Sequence, residues 1–166
     1  MVQPWLDALS EELGESSSVS ILDGAEIVYV ARAAQRKVMS IALMPGSRLP
    51  AYCTSMGRVM LAALPEVQAR DILAAELPAR TSHTLTDAGA ILQELARVRA
   101  QGYAVIDQEV ELGLRSIAVP VLNARGKVVA ALNFGLPARG EPLQSVVDHY
   151  LPAMLRVQTE LRRVLR

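Results

Sequence analysis

The 166-residue sequence predicts an α+β fold, one antiparallel sheet covered by helices. Two observations carry that expectation. The predicted elements run helix, three strands, a helical insertion, three strands, helix, and hairpin signals join neighbouring strands at Asp23-Gly24 and Asn123-Ala124-Arg125-Gly126. No glycine-rich nucleotide fingerprint follows a strand, and short connections between neighbours favour antiparallel pairing over a doubly wound sheet.

Each element has its own signal. Pro4 to Leu13 places Trp5, Leu6, Leu9 and Leu13 on one side of a helix, with Gly14 as its stop. Ser17 to Leu22 and Ala25 to Ala33 flank the first turn as strands, the second rich in β-branched and aromatic residues. Val38 to Leu43 reads as a third strand ended by Pro45-Gly46, and Arg48, Leu49 and Pro50 form a loop leading to the next helix. That helix starts at Thr54/Ser55, with Met56, Val59, Met60 and Ala63 at helical spacing. Pro65 opens another, running to about Glu76. Thr86-Asp87 caps a third, which carries Ile91, Leu95 and Val98 on one face and ends at Gly102. Tyr103 to Val110, Leu114 to Leu122 and Val128 to Gly135 are the remaining strands. A long helix follows from Leu143, with Pro152 expected to bend it.

Composition narrows the function. Apolar residues make up 51%, enough for a core, and the length fits one domain over residues 1–166. Seventeen basic and 17 acidic residues leave no net charge, so the chain alone lacks the basic excess that duplex DNA demands. The arginines at 156, 162, 163 and 166 read as a solvated helix end. A single cysteine, Cys53, excludes an internal disulfide. No apolar run approaches the roughly 18 residues of a membrane span, and no leader is visible, so a cytoplasmic location is expected.

Catalytic signals are weak. Cys53, His83 and His149 lack a nucleophile context and metal-ligand spacing, so neither a catalytic set, a metal nor a cofactor is expected. Asp107, Glu109 and Glu111 alternate as if along one strand face, either as an acid/base set or as solvated charges. The Thr54/Ser55 helix start is either an ordinary cap or, through its unpaired N–H groups, a receptor for a carboxylate or phosphate. Downstream, Leu114, Ser116 and Ala118 share one strand face, and Val129, Ala131, Asn133 and Gly135 share another. Ser116 and Asn133 are polar exceptions in apolar strands. Either they meet local backbone and water, or they line a pocket with the helix start. Arg32, on the face of Val28 and Val30, is a second anchor for an anion or a surface residue.

Several stretches together resemble one family. These are Leu22 through Arg32, Cys53-Thr54-Ser55-Met56-Gly57-Arg58, Gly102-Tyr103-Ala104-Val105, and Glu109 through Val121. In this order and spacing the chain resembles the effector-binding domain of IclR-type transcriptional regulators, from about Pro4 to about Leu161. It is most similar to the subgroup controlling the protocatechuate, 4-hydroxybenzoate and β-ketoadipate pathways.

The resemblance implies a GAF-like fold, a small carboxylate effector and a homodimer or tetramer. It also implies DNA contact only through an N-terminal winged helix-turn-helix that this sequence lacks. The family's pocket positions carry over to Ser55 and Met56, to Leu114 and Ser116, and to Asn133 and Gly135, with Thr54 as cap. Some members have Cys at the position of Ser116, Ser at those of Asn133 and Gly135, and an acidic residue at that of Ile106. The expected function is ligand sensing without catalysis, the effector being a hydroxylated benzoate or a β-keto dicarboxylate. The alternatives are a GAF-like sensor with another output, or a small enzyme acting through Asp107, Glu109 or Cys53.

Overall fold

The computed structural model describes residues 1–35 and 43–166. In chain order the elements are α1 (Gln3–Leu13), β1 (Ser16–Asp23), β2 (Glu26–Ala33), β3 (Arg48–Pro50), α2 (Ser55–Ala62), α3 (Glu66–Leu73), α4 (Ala88–Gln101), β4 (Ala104–Asp107), β5 (Leu114–Leu122), β6 (Val128–Pro137) and α5 (Leu143–Val164). The strands form one sheet in the order β3-β2-β1-β6-β5-β4, antiparallel throughout. The two hairpin halves therefore meet at the centre, where β1 pairs with β6.

Period-two alternation divides the apolar residues between the two faces. Ile117, Val119, Leu132, Phe134 and Leu136 turn to one side, beneath Leu6 and Leu9 of α1 and Val146, Tyr150, Met154 and Leu161 of α5. Leu114, Ala118, Ala131, Ile27 and Tyr29 turn to the other, beneath α2 and α4. Each fully buried Leu, Ile or Phe contributes roughly 1.5–3 kcal/mol from removing its surface from water. The α2 face is lined by small residues where a core strand would carry Leu or Ile: Ser18 and Ser20 of β1, Ala118 of β5, Ala131 and Gly135 of β6. Small side chains let α2 lie close to the sheet and leave a hollow beside its first turn.

Two expectations change, and another falls outside what is described. The third strand predicted at Val38 to Leu43 falls almost wholly on residues 36–42, outside the described residues. The segment read as a loop, Arg48 to Pro50, is instead β3, paired with Glu26 to Val28. It is an edge strand, which tolerates a proline because one side needs no ladder bond. β4 stops at Asp107, because Gln108 turns the chain at a φ of 62°. That left-handed conformation is held by Gln108 N–H donating to the Leu114 carbonyl at 2.9 Å and Gly113 N–H donating to Gln108 Oε1 at 2.9 Å. Asp107, Glu109 and Glu111 therefore do not share a strand face. α5 runs through Pro152 as one element.

Candidate functional site

α2 begins in a tight turn. Thr54 accepts the Gly57 N–H at 3.1 Å and donates its hydroxyl to the Pro50 carbonyl at 2.9 Å, so the cap is tied to the end of β3. Gly57 has to be glycine, because a Cβ there would collide with the Ala51 backbone. The N–H groups of Ser55 and Met56, first in the helix, have no intrahelical acceptor and lie at its positive end.

This helix mouth opens over the small-residue face of the sheet. Thr54, Ser55 and Met56 of the helix start, Leu114 and Ser116 of β5, Asn133 and Gly135 of β6, and Arg32 of β2 all line one pocket there. Ser16, Tyr29, Leu43, Leu49 and Val110 complete the wall. The lining atoms bound about 470 Å³ of space, partly open to solvent, around a lumen of only about 30 Å³. Among the described lining residues Arg32 is the sole charged one and none is a carboxylate, so they give the site positive character from a cation and a helix N-terminus. Ser55 Oγ and Asn133 Oδ1 are buried and have no hydrogen-bond partner among the described residues. Unmade bonds on buried groups cost about 1–3 kcal/mol each, a cost a polar ligand would remove.

Arg32 reaches the pocket by a route that simple alternation does not give. Ser20 pairs with Tyr29 and Val19 with Ala31, so Val30 is the extra residue of a β-bulge. The bulge moves Arg32 off the face of Val28 and Val30 and onto that of Tyr29 and Ile27. Opposite it in register stands Ser18, whose Oγ accepts from the guanidinium at 3.2 Å. Tyr29 lies on the same side, its phenol pushed up to about 12 by burial, an effect the Arg32 charge partly offsets. It is therefore a protonated donor at neutral pH.

Behind the helix mouth lies an ion pair that sequence reasoning missed. Arg58, 2% exposed, donates to both oxygens of Glu109, Nη1 to Oε2 at 2.8 Å and Nη2 to Oε1 at 2.6 Å. Its Nε donates to the Tyr52 carbonyl at 3.0 Å, and Glu109 Oε1 also accepts the Leu85 N–H at 2.9 Å. The pair thus ties the first turn of α2 to the segment carrying Val110, a pocket wall. A signal was present: Arg58 is a cation in the first turn, where it opposes the helix dipole, and its neighbours in α2 are otherwise small or apolar.

The other candidates separate. Burial pushes the Cys53 thiol up to about 11, against the opposing effect of Arg80 and Arg58, so it is a poor nucleophile. Cys53 packs on the α2 face, whereas His149 stacks edge-on against Tyr150 of α5, on the opposite side of the sheet. Burial would raise the Asp107 carboxyl, but hydrogen bonds from Arg115 (2.9 Å) and Gln108 outweigh it and hold it below the ordinary value. No cluster of metal-ligating residues occurs among the described residues. A second, open groove of about 1190 Å³ runs along Val59, Met60, Val98 and Val128, at the opposite end of α2. No unpartnered buried polar atom lies among its lining residues.

An antiparallel sheet with a polar-ended pocket between its face and a helix N-terminus is the build of a small-molecule sensory domain. The chain belongs to the family described as bacterial transcriptional regulator IclR C-terminal, which matches residues 1–150. It is 44% identical over 161 residues to the Pca regulon regulatory protein of Pseudomonas putida, covering 96% of this chain and 55% of that relative. It is 36% identical over 171 residues to the p-hydroxybenzoate hydroxylase transcriptional activator of Acinetobacter baylyi, covering 99% and 63%. Among solved structures, a double mutant of the PobR inducer-binding domain from Acinetobacter, in complex with 3-hydroxybenzoic acid, superposes with a TM-score of 0.90. That match has 37% identity and covers 99% of this chain and 97% of that one. The chain thus spans just over half to about three-fifths of the length of these curated relatives. No helix among the described residues is long and apolar enough to cross a membrane.

Proposed function

We propose that this chain is the sensory unit of a transcriptional regulator and binds a small aromatic acid in the pocket at the start of α2. The observation that carries the reading is the pair of buried atoms Ser55 Oγ and Asn133 Oδ1, unpartnered among the described residues, in a pocket whose described lining holds one cation and no anion. The carboxylate is placed on the N–H groups of Ser55 and Met56, with Arg32 as its counter-charge. Met56 and Leu114 flank the ring, and Ser116 and Asn133 take its polar substituent. The relatives' names support an aromatic acid over a β-keto dicarboxylate, since one is a p-hydroxybenzoate hydroxylase activator and a structural neighbour holds 3-hydroxybenzoic acid.

In this reading the unit has no catalytic residues, assembles as a dimer or tetramer in the cytoplasm, and meets DNA only through another domain of a longer regulator. Occupancy would be relayed as a shift in the population of two arrangements of that assembly. Its zero net charge agrees with a role in which the domain does not touch DNA itself.

Thermal unfolding with 3-hydroxybenzoate tests the proposal. A ligand at a hundred times its Kd stabilises by about 2.7 kcal/mol, which for a domain of this size raises Tm by roughly 5–10 °C. A flat response to hydroxylated benzoates, beside a rise with an unrelated metabolite, would overturn it. Conversion of the acid to product would favour the enzyme alternative.

A further inference from the structure

We infer that Met56 is a movable wall of the pocket and that the Ser20 hydroxyl is its latch, so that Ser20 sets the size of acid the pocket admits; this rests on the pocket being the effector site. Ser20 is fully buried on β1 and donates to the Met56 thioether, Oγ to Sδ at 3.1 Å. β1 runs in unbroken register against β6, Ser18 opposite Asn133 and Ser20 opposite Ala131. Successive inward positions of one strand therefore hold the two long side chains of the pocket, Ser18 the Arg32 guanidinium and Ser20 the methionine.

The lumen says why the wall has to move. About 30 Å³ accommodates two or three waters, since roughly 10–15 Å³ of such space holds one. A benzoate ring does not fit there unless a side chain yields. Methionine is unbranched and rotates about three bonds, whereas the neighbouring Leu114, Leu49 and Val110 are branched. Sulfur is a weak acceptor, so the latch is one that a ligand can break. A short keto acid needs only a small displacement of the wall, whereas a ring acid has to swing Met56 aside and break the Ser20 bond.

The test compares 3-hydroxybenzoate with pyruvate by calorimetric titration of the wild type, Ser20→Ala, Met56→Ala and the double variant. Removing the latch should tighten 3-hydroxybenzoate relative to pyruvate by about two- to tenfold, and Ser20→Ala should do nothing further once Met56 is alanine. An independent readout is the ¹³C resonance of the Met56 ε-methyl in ligand-free protein. It should report a fixed rotamer in wild type and a rotamer average in Ser20→Ala. An unchanged affinity ratio, or Ser20→Ala and Met56→Ala effects that simply add, overturns the latch. If neither acid binds any variant, the pocket reading fails, and an unmoved Met56 methyl in Ser20→Ala separately shows that Ser20 does not hold it.

Discussion

Replacing Arg58 by alanine should cost the fold about 3–5 kcal/mol, the usual loss when one partner of a buried ion pair is removed. The reason lies in what is left behind. Glu109, 7% exposed, would be left buried with the Leu85 N–H as its remaining side-chain hydrogen bond, and the Tyr52 carbonyl would lose its donor. Replacing both partners, Arg58→Met with Glu109→Leu, removes the charges together and should recover much of the loss, because desolvation of the pair roughly balances its attraction. The recovery should be incomplete, since the Leu85 N–H is then orphaned at about 1–3 kcal/mol. Urea unfolding midpoints of the three proteins decide the matter. A single-variant loss below about 1 kcal/mol, the range of exposed pairs, would show that the pair does not hold the helix mouth in place.

Arg32→Met should weaken binding of 3-hydroxybenzoate by roughly ten- to a hundredfold, since a hydrogen bond to a charged group is worth about 1.5–3 kcal/mol and 1.4 kcal/mol is one decade. Methionine keeps the length and apolar stem of the side chain while removing the charge. Arg32 is only half-buried and its partner Ser18 is neutral, so folding should change little. Titrations at low and high salt add a second signature: the wild-type affinity should fall with salt and that of Arg32→Met should not. Equal affinities for the two proteins would remove Arg32 from the site.

Most of the architecture was legible because its signals are local. Asp87 and Gly102 bound α4 as a cap and a left-handed stop, and Asn123 folds its hairpin by accepting the Arg125 and Lys127 N–H groups. The pocket strands were legible for the same reason: β5 and β6 alternate regularly, so Ser116 and Gly135 fall on one face as a register pair. What stayed hidden depends on contacts distant in sequence. The bulge at Val30 is a property of the β1–β2 pairing and leaves no mark in β2 itself, so the face of Arg32 came out inverted. Arg58 and Glu109 stand 51 residues apart, and nothing near either names the other. β3 exists because Glu26 to Val28 offered a free edge, whereas three residues ending in proline carry almost no strand signal of their own.

In the proposed function the acid sits at the N-terminal end of α2 and not in the larger groove at its other end. Amide and side-chain chemical-shift mapping of the isotopically labelled protein during titration with 3-hydroxybenzoate tests this most directly. The largest shifts are expected at the amides of Ser55 and Met56, with others at the Arg32 Nε–H, Ser116 and the Asn133 side chain. Shifts centred instead on Val59, Val98, Val128 and Val129, with Ser55 and Met56 unmoved, would contradict it.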